Sequence, residues 1–113
     1  NIMKIDNQKF SESVDRVSTI FADKSRSVTL NLSNNILSLQ ANSPDTGSAS
    51  DEIDVDYSGE ELSIGFNSRY LLDLTSQIGL GETIIAFKDS GSPALVKTPD
   101  DEDVLFVLMP MRV

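Results

Sequence analysis

The chain of 113 residues contains no cysteine and no histidine. Without them it can form neither disulfides nor thiolate nucleophiles, and it lacks the commonest general base and the usual zinc ligands. Aspartate, glutamate, serine and lysine remain, so a carboxylate dyad or a serine and lysine pair stays open, but no spacing selects one. We therefore expect no catalytic residue, no metal site and no cofactor.

Long apolar runs are also missing. No segment approaches the roughly 20 apolar residues that span a bilayer, and the N-terminus lacks the basic and then apolar pattern of a signal peptide. We therefore expect a cytoplasmic protein. The chain starts at Asn1 rather than at methionine, and "NIMKID" already alternates like a strand. This start predicts a piece cut from a longer protein.

Basic side chains are scarce, with nine against 18 acidic ones and a net charge of -9. Such a charge repels a phosphate backbone at long range, which argues against a surface that grips DNA tightly. One local basic strip on an acidic body remains open. The length fits a single domain that buries somewhat over ~60% of its unfolded surface.

Two segments show the spacing of amphipathic helices. "NQKFSESVDRVSTIFADK" places Phe10, Val14, Val17 and Phe21 on one stripe, with spacings of about one helical turn. "SRYLLDLTSQI" follows Asn67, a favourable N-cap, and Gly79 is placed to end it. The sequence therefore predicts two helices.

The remaining segments alternate with a period of two, as strands do. "SVTLNLSNNILSLQAN" predicts a hairpin that turns at Asn34 and Asn35, and "DEIDVDYSGEELSIGF" predicts a second hairpin that turns at Ser58 and Gly59. "ETIIAFKDSGSPALVK" and "DVLFVLMPM" predict three further strands. The resulting order, strand, helix and three strands, occurs twice with an offset of about 60 residues, and pairs Asn7 with Asn67. We expect an α+β domain with its helices on one face of antiparallel sheets.

Three short motifs have ordinary structural explanations. "DVDYSG" at Asp54 matches half of a calcium loop, but the twelfth position is Gly65, where a bidentate glutamate is needed. "GLGET" at Gly79 follows a helix, the reverse of a phosphate-binding loop, and predicts a turn. "PDDED" at Pro99 predicts a solvated loop.

Lys9 and Arg16 lie seven residues apart on the first predicted helix. They therefore share one face, which could present a basic strip to phosphates without reading sequence. An ordinary charged helix face explains the same spacing.

The chain ends on "LFVLMPMRV", which is apolar to its last residue. A buried strand explains the run as far as Leu108, but Pro110 cannot donate to a sheet and ends the strand. Methionine is flexible and polarisable, which suits a groove that accepts several peptide side chains. Core burial therefore does not explain the segment from Met109 onward.

The segments "FVLMPMRV", "IGFNSRYLLDL", "DYSGE" and "ANSPDTGSASDE" together resemble the C-terminal domain of the bacterial DNA polymerase III beta subunit, the replication sliding clamp. The resemblance covers essentially the whole chain. It implies the DNA-clamp fold, with residues 1–113 as a single C-terminal domain of a three-domain chain. It further implies a homodimeric ring that encircles double-stranded DNA without sequence specificity and acts as a non-enzymatic processivity factor.

The resemblance also implies three surfaces and a set of partners. A groove for linear peptides of the polymerase, the clamp loader and repair proteins would include Asn67, Tyr70, Ser92, Pro93, Val107, Met109, Pro110, Met111, Arg112 and Val113. Residues facing the DNA would include Lys9, Arg16 and Arg69. Ring closure would use Ile20, Phe21, Asp45, Asp51 and Glu52. Two alternatives remain from the residues alone: a peptide-binding scaffold that never meets DNA, and a hydrolase that uses carboxylates.

Overall fold

The computed structural model describes residues 1–20, 27–43, 47–79, 81–99 and 101–111, with only the backbone for 101–105. Two helices and nine strands lie in these ranges. In chain order they are β1 Ile2–Asp6, α1 Asn7–Ser18, β2 Ser27–Ser33, β3 Ile36–Ser43, β4 Gly47–Asp54, β5 Asp56–Tyr57, β6 Leu62–Asn67, α2 Ser68–Ile78, β7 Glu82–Ala86, β8 Ala94–Thr98 and β9 Asp101–Leu108. The predicted order of two repeated units is confirmed, with the short β5 added between them.

The two units exchange their first strands. One sheet has the order β5-β1-β7-β8-β9, and the other has the order β4-β3-β2-β6. Strand β1 of the first unit therefore joins the strands of the second unit, and β6 of the second unit joins those of the first. All pairs are antiparallel. Because each sheet needs a strand from the other unit, neither unit completes its sheet alone.

The helices form one layer over the inner faces of both sheets. Phe10, Val14 and Val17 of α1 are almost fully buried, as the predicted stripe requires. Helix α1 packs against α2, β3 and β4, while α2 packs against α1 and β6. One apolar core joins the two units.

The hairpin formed by β2 and β3 is confirmed. Leu30 pairs with Leu39 and Leu32 with Leu37, so all four side chains point into the core. Asn35 in the turn has a φ of 61°, a left-handed conformation that asparagine tolerates better than most residues.

The second predicted hairpin is wrong. Strand β6 pairs with β2, and Asp56 and Tyr57 of β5 pair with β1 in the other sheet. The chain leaves one sheet at Val55, whose N–H donates to the carbonyl of Asn35 at 3.1 Å. Alternation predicted strands here correctly, but a period of two does not specify the partner strand.

The helix starts correspond with an offset of 61 residues, so the predicted pairing of Asn7 with Asn67 is wrong by one position. Asp6 caps α1 by accepting from the N–H of Lys9 at 3.0 Å. Asn67 caps α2 by accepting from the N–H of Arg69 at 2.9 Å. Gly79 ends α2 with a φ of 75°, as glycine at this position allows. Neither described helix is long and apolar enough to cross a membrane.

Candidate functional site

Two cavities lie on either side of Met109. The larger, of about 550 Å³, is lined by Ser63, Ile64, Gly65, Ser90, Gly91, Met109, Pro110 and Met111. The smaller, of about 230 Å³, is lined by Tyr70, Asp73, Leu74, Gln77, Phe106, Val107, Leu108 and Met109. Met109 is 66% exposed, so it forms a flexible apolar ridge between two depressions.

A backbone contact holds the segment after β9. The N–H of Met111 donates to the carbonyl of Gly65 at 2.7 Å, forming a bridge to β6. Since β9 and β6 are edge strands of different sheets, the segment spans the two edges. Pro110 lies between these contacts and has no N–H to leave unpaired. Met109 is therefore held between a strand end and a bridge while its side chain stays exposed.

The smaller cavity joins one face of α2 to the end of β9. Tyr70, Val107 and Met109, which the sequence predicted for one groove, share this cavity. Tyr70 is 63% exposed and Val107 is 56% exposed, so each offers apolar surface to a ligand.

Sequence reasoning missed Asp73, Leu74 and Gln77, which line the same cavity. They follow Tyr70 by three, four and seven residues, the spacing of one helix face. That spacing could have identified them. Leu74 is almost fully buried and forms the apolar floor, whereas Asp73 and Gln77 are exposed at the rim.

The loop between β7 and β8 is held by its own polar groups. The hydroxyl of Ser92 and the N–H of Gly91 donate to the carboxylate of Asp89 and lower the pKa of that residue. Ser90 and Gly91 line the larger cavity. Ser92 and Pro93, the loop residues that the sequence predicted for the groove, are half-buried and exposed respectively, and neither is among the lining residues.

Asn67 has a structural role that competes with its predicted place in the groove. Its side-chain oxygen accepts from the N–H groups of Arg69 and Tyr70 at 2.9 and 3.4 Å. It is absent from the lining of both cavities, but as the N-cap it fixes the start of the helix that carries Tyr70. Arg112 and Val113 lie outside the described residues.

The basic side chains predicted to face DNA lie in two settings. Lys9 and Arg69 are exposed on the first turns of α1 and α2. Arg16 instead contacts Asp51 of β4 at 2.5 Å, and the hydroxyl of Ser13 donates to the same carboxylate oxygen at 2.8 Å. The sequence assigned Arg16 and Asp51 to different surfaces, but the structure brings them together, so the charge of Arg16 is largely offset.

The exposed helix layer has no net charge. Helices α1 and α2 carry three basic and three acidic side chains, namely Lys9, Arg16, Arg69, Glu12, Asp15 and Asp73. The whole net charge of -9 therefore lies outside the helices. The helix layer is thus less acidic than the rest of the protein taken together.

Strand β4 provides an open sheet edge. Among the residues that the structure describes, it pairs with β3 on one side only, because it lies at the end of its sheet. Of the residues predicted for ring closure, Asp51 is half-buried and Glu52 is exposed on this strand. Ile20 is half-buried and packs against the core. Phe21 and Asp45 lie outside the described residues.

Within the ranges that the structure describes, no group of three or more acidic side chains could hold a metal ion. Asp54 and Asp56, the carboxylates of the half calcium motif, belong to strands of different sheets. Alternation along the chain exposes both side chains.

Comparison with solved structures gives this architecture a class. The Bartonella birtlesii DnaN sliding clamp bound to griselimycin superposes with a TM-score of 0.93 and 45% identity, covering 99% of this chain and 30% of that one. A Caulobacter crescentus beta sliding clamp with polyethylene glycol bound to a putative beta-motif tethering region superposes with a TM-score of 0.93 and 46% identity. It covers 99% of this chain and 30% of that one. The fold is therefore that of a sliding-clamp domain.

The family follows from the sequence comparisons. Residues 1–112 match the model of the DNA polymerase III beta subunit, C-terminal domain, and the chain belongs to this family. The beta sliding clamp of Caulobacter vibrioides is 46% identical over 112 residues, covering 99% of this chain and 30% of the relative. That of Pseudomonas aeruginosa is 41% identical over 108 residues, covering 96% and 29%. The chain thus spans about 30% of the length of these curated relatives.

Proposed function

We propose that residues 1–113 are the C-terminal domain of a three-domain sliding clamp, a non-catalytic and cytoplasmic processivity factor. Two such chains form a ring around double-stranded DNA, and a groove on each chain captures linear peptides of the polymerase, the clamp loader and repair proteins. The observation that carries this proposal is the family match over residues 1–112. The matched residues include Met109, which forms the exposed apolar ridge between the two cavities.

Peptide capture is supported by the shape and chemistry around Met109. An extended peptide could place one apolar side chain on each side of this ridge, in a cavity that has an apolar wall and a polar rim. Met109, Val107 and Tyr70 are each more than half exposed, so a ligand would bury substantial apolar area on rigid elements. Two sliding clamps whose structures superpose on this chain with a TM-score of 0.93 were solved with griselimycin bound.

Retention on DNA by encirclement is supported by the distribution of charge. A ring does not need a tight grip on phosphates, because a closed loop around the duplex prevents dissociation. The neutral helix layer with Lys9 and Arg69 would face the hole, while the acidic strands and loops would face outward. Such a surface supplies few phosphate contacts, so it would permit sliding.

Ring closure is supported by the open edge of β4. Its unpaired N–H and C=O groups could add a strand from the second chain. Asp51 and Glu52 lie on this strand, with Ile20 at the adjacent helix end, so acidic and apolar contacts would flank the new pairing.

The groove is tested by replacing Met109 with alanine in the full-length protein and measuring griselimycin binding by calorimetry. Removing this 66% exposed side chain should weaken binding roughly tenfold, since a buried apolar anchor contributes about 1.5 kcal/mol or more. The melting temperature should not change, because the side chain packs little in the free protein.

Ile36→Ala is the matched control, because Ile36 is 39% exposed and lies on β3 in the other sheet. Its affinity for griselimycin should equal that of the wild type. Equal affinity of Met109→Ala and the wild type would contradict the groove assignment.

A further inference from the structure

The outer face of the five-stranded sheet carries an apolar row. Ile2, Ala86, Leu95 and Val107 occupy paired positions on β1, β7, β8 and β9. The side chains in this row point away from the helix layer, because their neighbours along each strand are the core residues. Ile2 is 56% exposed, Leu95 43% and Val107 56%.

The outer face of the four-stranded sheet has the opposite character. Its corresponding row consists of Ser63, Asn31, Ser38 and Glu52 at paired positions on β6, β2, β3 and β4. All four are polar, as expected where an antiparallel sheet faces water. The two rows occupy equivalent positions in the two repeated units, and only the row on the five-stranded sheet is apolar. A contiguous exposed apolar strip of this kind is typical of a contact surface.

A second row beside it adds positive charge. Lys4, Ile84 and Lys97 are paired across β1, β7 and β8. Ile84 is only 8% exposed although it lies on the outer face, and it is paired on both sides with a lysine, a side chain whose aliphatic stem can cover apolar surface. Neither lysine forms an ion pair with a described side chain, but Asp56 lies opposite Lys4, whereas the described cross-strand partner of Lys97 is Ile84. Lys97 is therefore the stronger site for a carboxylate.

The apolar row is continuous with the groove. Val107 is its last member and also lines the smaller cavity beside Met109. Four strands spaced by about 4.8 Å give the row a length of roughly 14 Å, which about four residues of extended chain would cover. A carboxylate two positions away along the strands, about 7 Å from the row, could reach Lys97.

We propose that this row binds an extended segment of the client protein that flanks the groove-binding motif and presents both apolar and acidic side chains to the sheet. This inference rests on the proposed groove. The apolar side chains lie over Leu95 and Ala86, and an acidic side chain contacts Lys97. The segment adds affinity through an effectively intramolecular second contact. The contact with Lys97 also orients clients with acidic flanks, because most of the remaining surface of this acidic protein repels a carboxylate.

The test uses the full-length protein, griselimycin as a groove-only probe, and two synthetic peptides. Both peptides contain the same clamp-binding motif of a bacterial replicative polymerase with six residues on each side. One peptide has flanks of the form Leu-Leu-Asp-Asp-Leu-Leu, which present leucine and aspartate on the same face of an extended chain, and the other has flanks of glycine and serine. The variants are Leu95→Ser and, as a control for removal of an exposed isoleucine on the other sheet, Ile36→Ser.

The peptide with leucine and aspartate flanks should bind the wild type roughly tenfold more tightly than its partner. Leu95→Ser should reduce this advantage to about twofold without affecting griselimycin, and Ile36→Ser should leave it unchanged. Raising the salt concentration should reduce this advantage in the wild type. It should reduce the advantage less in the Lys97→Gln variant. Equal affinity of the two peptides, together with normal griselimycin binding, would overturn this inference and leave the groove intact. Loss of binding by all three probes would overturn both.

Discussion

Asn7 joins α1 to α2 and to β7. Its side-chain amide donates to the carbonyls of Thr75 and Gly79 at 2.9 and 2.5 Å, and its side-chain oxygen accepts from the hydroxyl of Thr83 at 2.8 Å. The backbone N–H also donates to the carbonyl of Gly81 at 2.8 Å. The start of α1 is thereby fixed to the end of α2 and to β7.

Replacing Asn7 with alanine should destabilise the protein by about 2–4 kcal/mol. The change leaves the buried hydroxyl of Thr83 without its acceptor, which carries a desolvation penalty, and removes two hydrogen bonds to carbonyls, of which that of Thr75 keeps the N–H of Gly79 as a donor. Urea unfolding measures the loss. The neighbouring Gln8→Ala serves as the control, because Gln8 is exposed and its replacement should change the free energy of unfolding by under about 0.5 kcal/mol. Similar values for the two variants would contradict the role assigned to Asn7.

Tyr57 is a second residue with several partners. It is fully buried, and its hydroxyl donates to the carbonyl of Glu60. The N–H of Glu60 in turn donates to the side-chain oxygen of Asn1 at 3.2 Å. Burial raises the pKa of Tyr57, and the nearby carboxylate of Glu60 raises it further.

The raised pKa of Tyr57 predicts a loss of stability at alkaline pH. The unfolded chain releases the phenol proton near its ordinary pKa of 10.0, and the folded chain releases it at higher pH. The stabilising contribution is therefore complete below about pH 10 and is lost as the pH rises through the folded pKa. Between about pH 9 and pH 11, the free energy of unfolding in urea should decline less steeply for Tyr57→Phe than for the wild type. Tyr70→Phe is the control, a change at an exposed tyrosine, and its free energy of unfolding should follow that of the wild type. Identical slopes for all three proteins would rule out this explanation.

At the scale of elements, the turn between β2 and β3 does more than reverse the chain. Besides its positive φ, Asn35 makes three contacts with the segment that passes between the sheets. Its N–H donates to the carbonyl of Tyr57 at 2.8 Å, its carbonyl accepts from Val55 at 3.1 Å, and its side-chain oxygen accepts from the N–H of Tyr57 at 3.3 Å. The hairpin therefore supports the crossing of the chain from β4 to β5.

Asn35→Ala should destabilise the protein by about 1–2 kcal/mol, because alanine disfavours positive φ and loses the side-chain contact. Asn35→Gly should be less harmful, at under about 1 kcal/mol, since glycine tolerates the backbone conformation. Thermal unfolding of both variants separates the two causes. Asn34→Ala is the control at the adjacent exposed turn position. A glycine variant as unstable as the alanine variant would show that backbone conformation contributes little.

Local patterns predicted most elements of the fold but not how they pair. The helix stripe of Phe10, Val14 and Val17 and the turn at Asn35 follow from residue type and spacing within a few positions. The exchange of β1 and β6 between sheets depends on which strands meet across about 60 residues, and alternation carries no such information. The same limit explains why Arg16 and Asp51, which lie on different elements, were assigned to separate surfaces.

The candidate site shows a similar division. Met109 and Tyr70 followed from the terminal segment and the family resemblance, and Leu74 could have followed from helical spacing. The position of Gly65 in the cavity wall could not have been predicted. It arises from the backbone bridge to Met111, a contact that involves no recognisable motif. Likewise, nothing local distinguishes Asn7, which binds the end of α2, from Asn67, which caps its start.

For the whole molecule, the separation of charge is the central feature. All of the net charge of -9 lies outside the two helices. A net negative charge opposes DNA binding at long range, so the proposed function assigns retention on DNA to closure of the ring. This account predicts that residence on DNA depends on the topology of the DNA more than on salt.

The most direct test loads the full-length protein onto a nicked circular plasmid with its clamp loader and then linearises half of the complexes. Protein that remains with DNA is measured after gel filtration at about 0.05 M and 0.3 M salt. The account predicts retention on circular DNA at both salt concentrations and rapid loss from the linear form. Equal loss from circular and linear DNA, or loss that depends on salt alone, would contradict it.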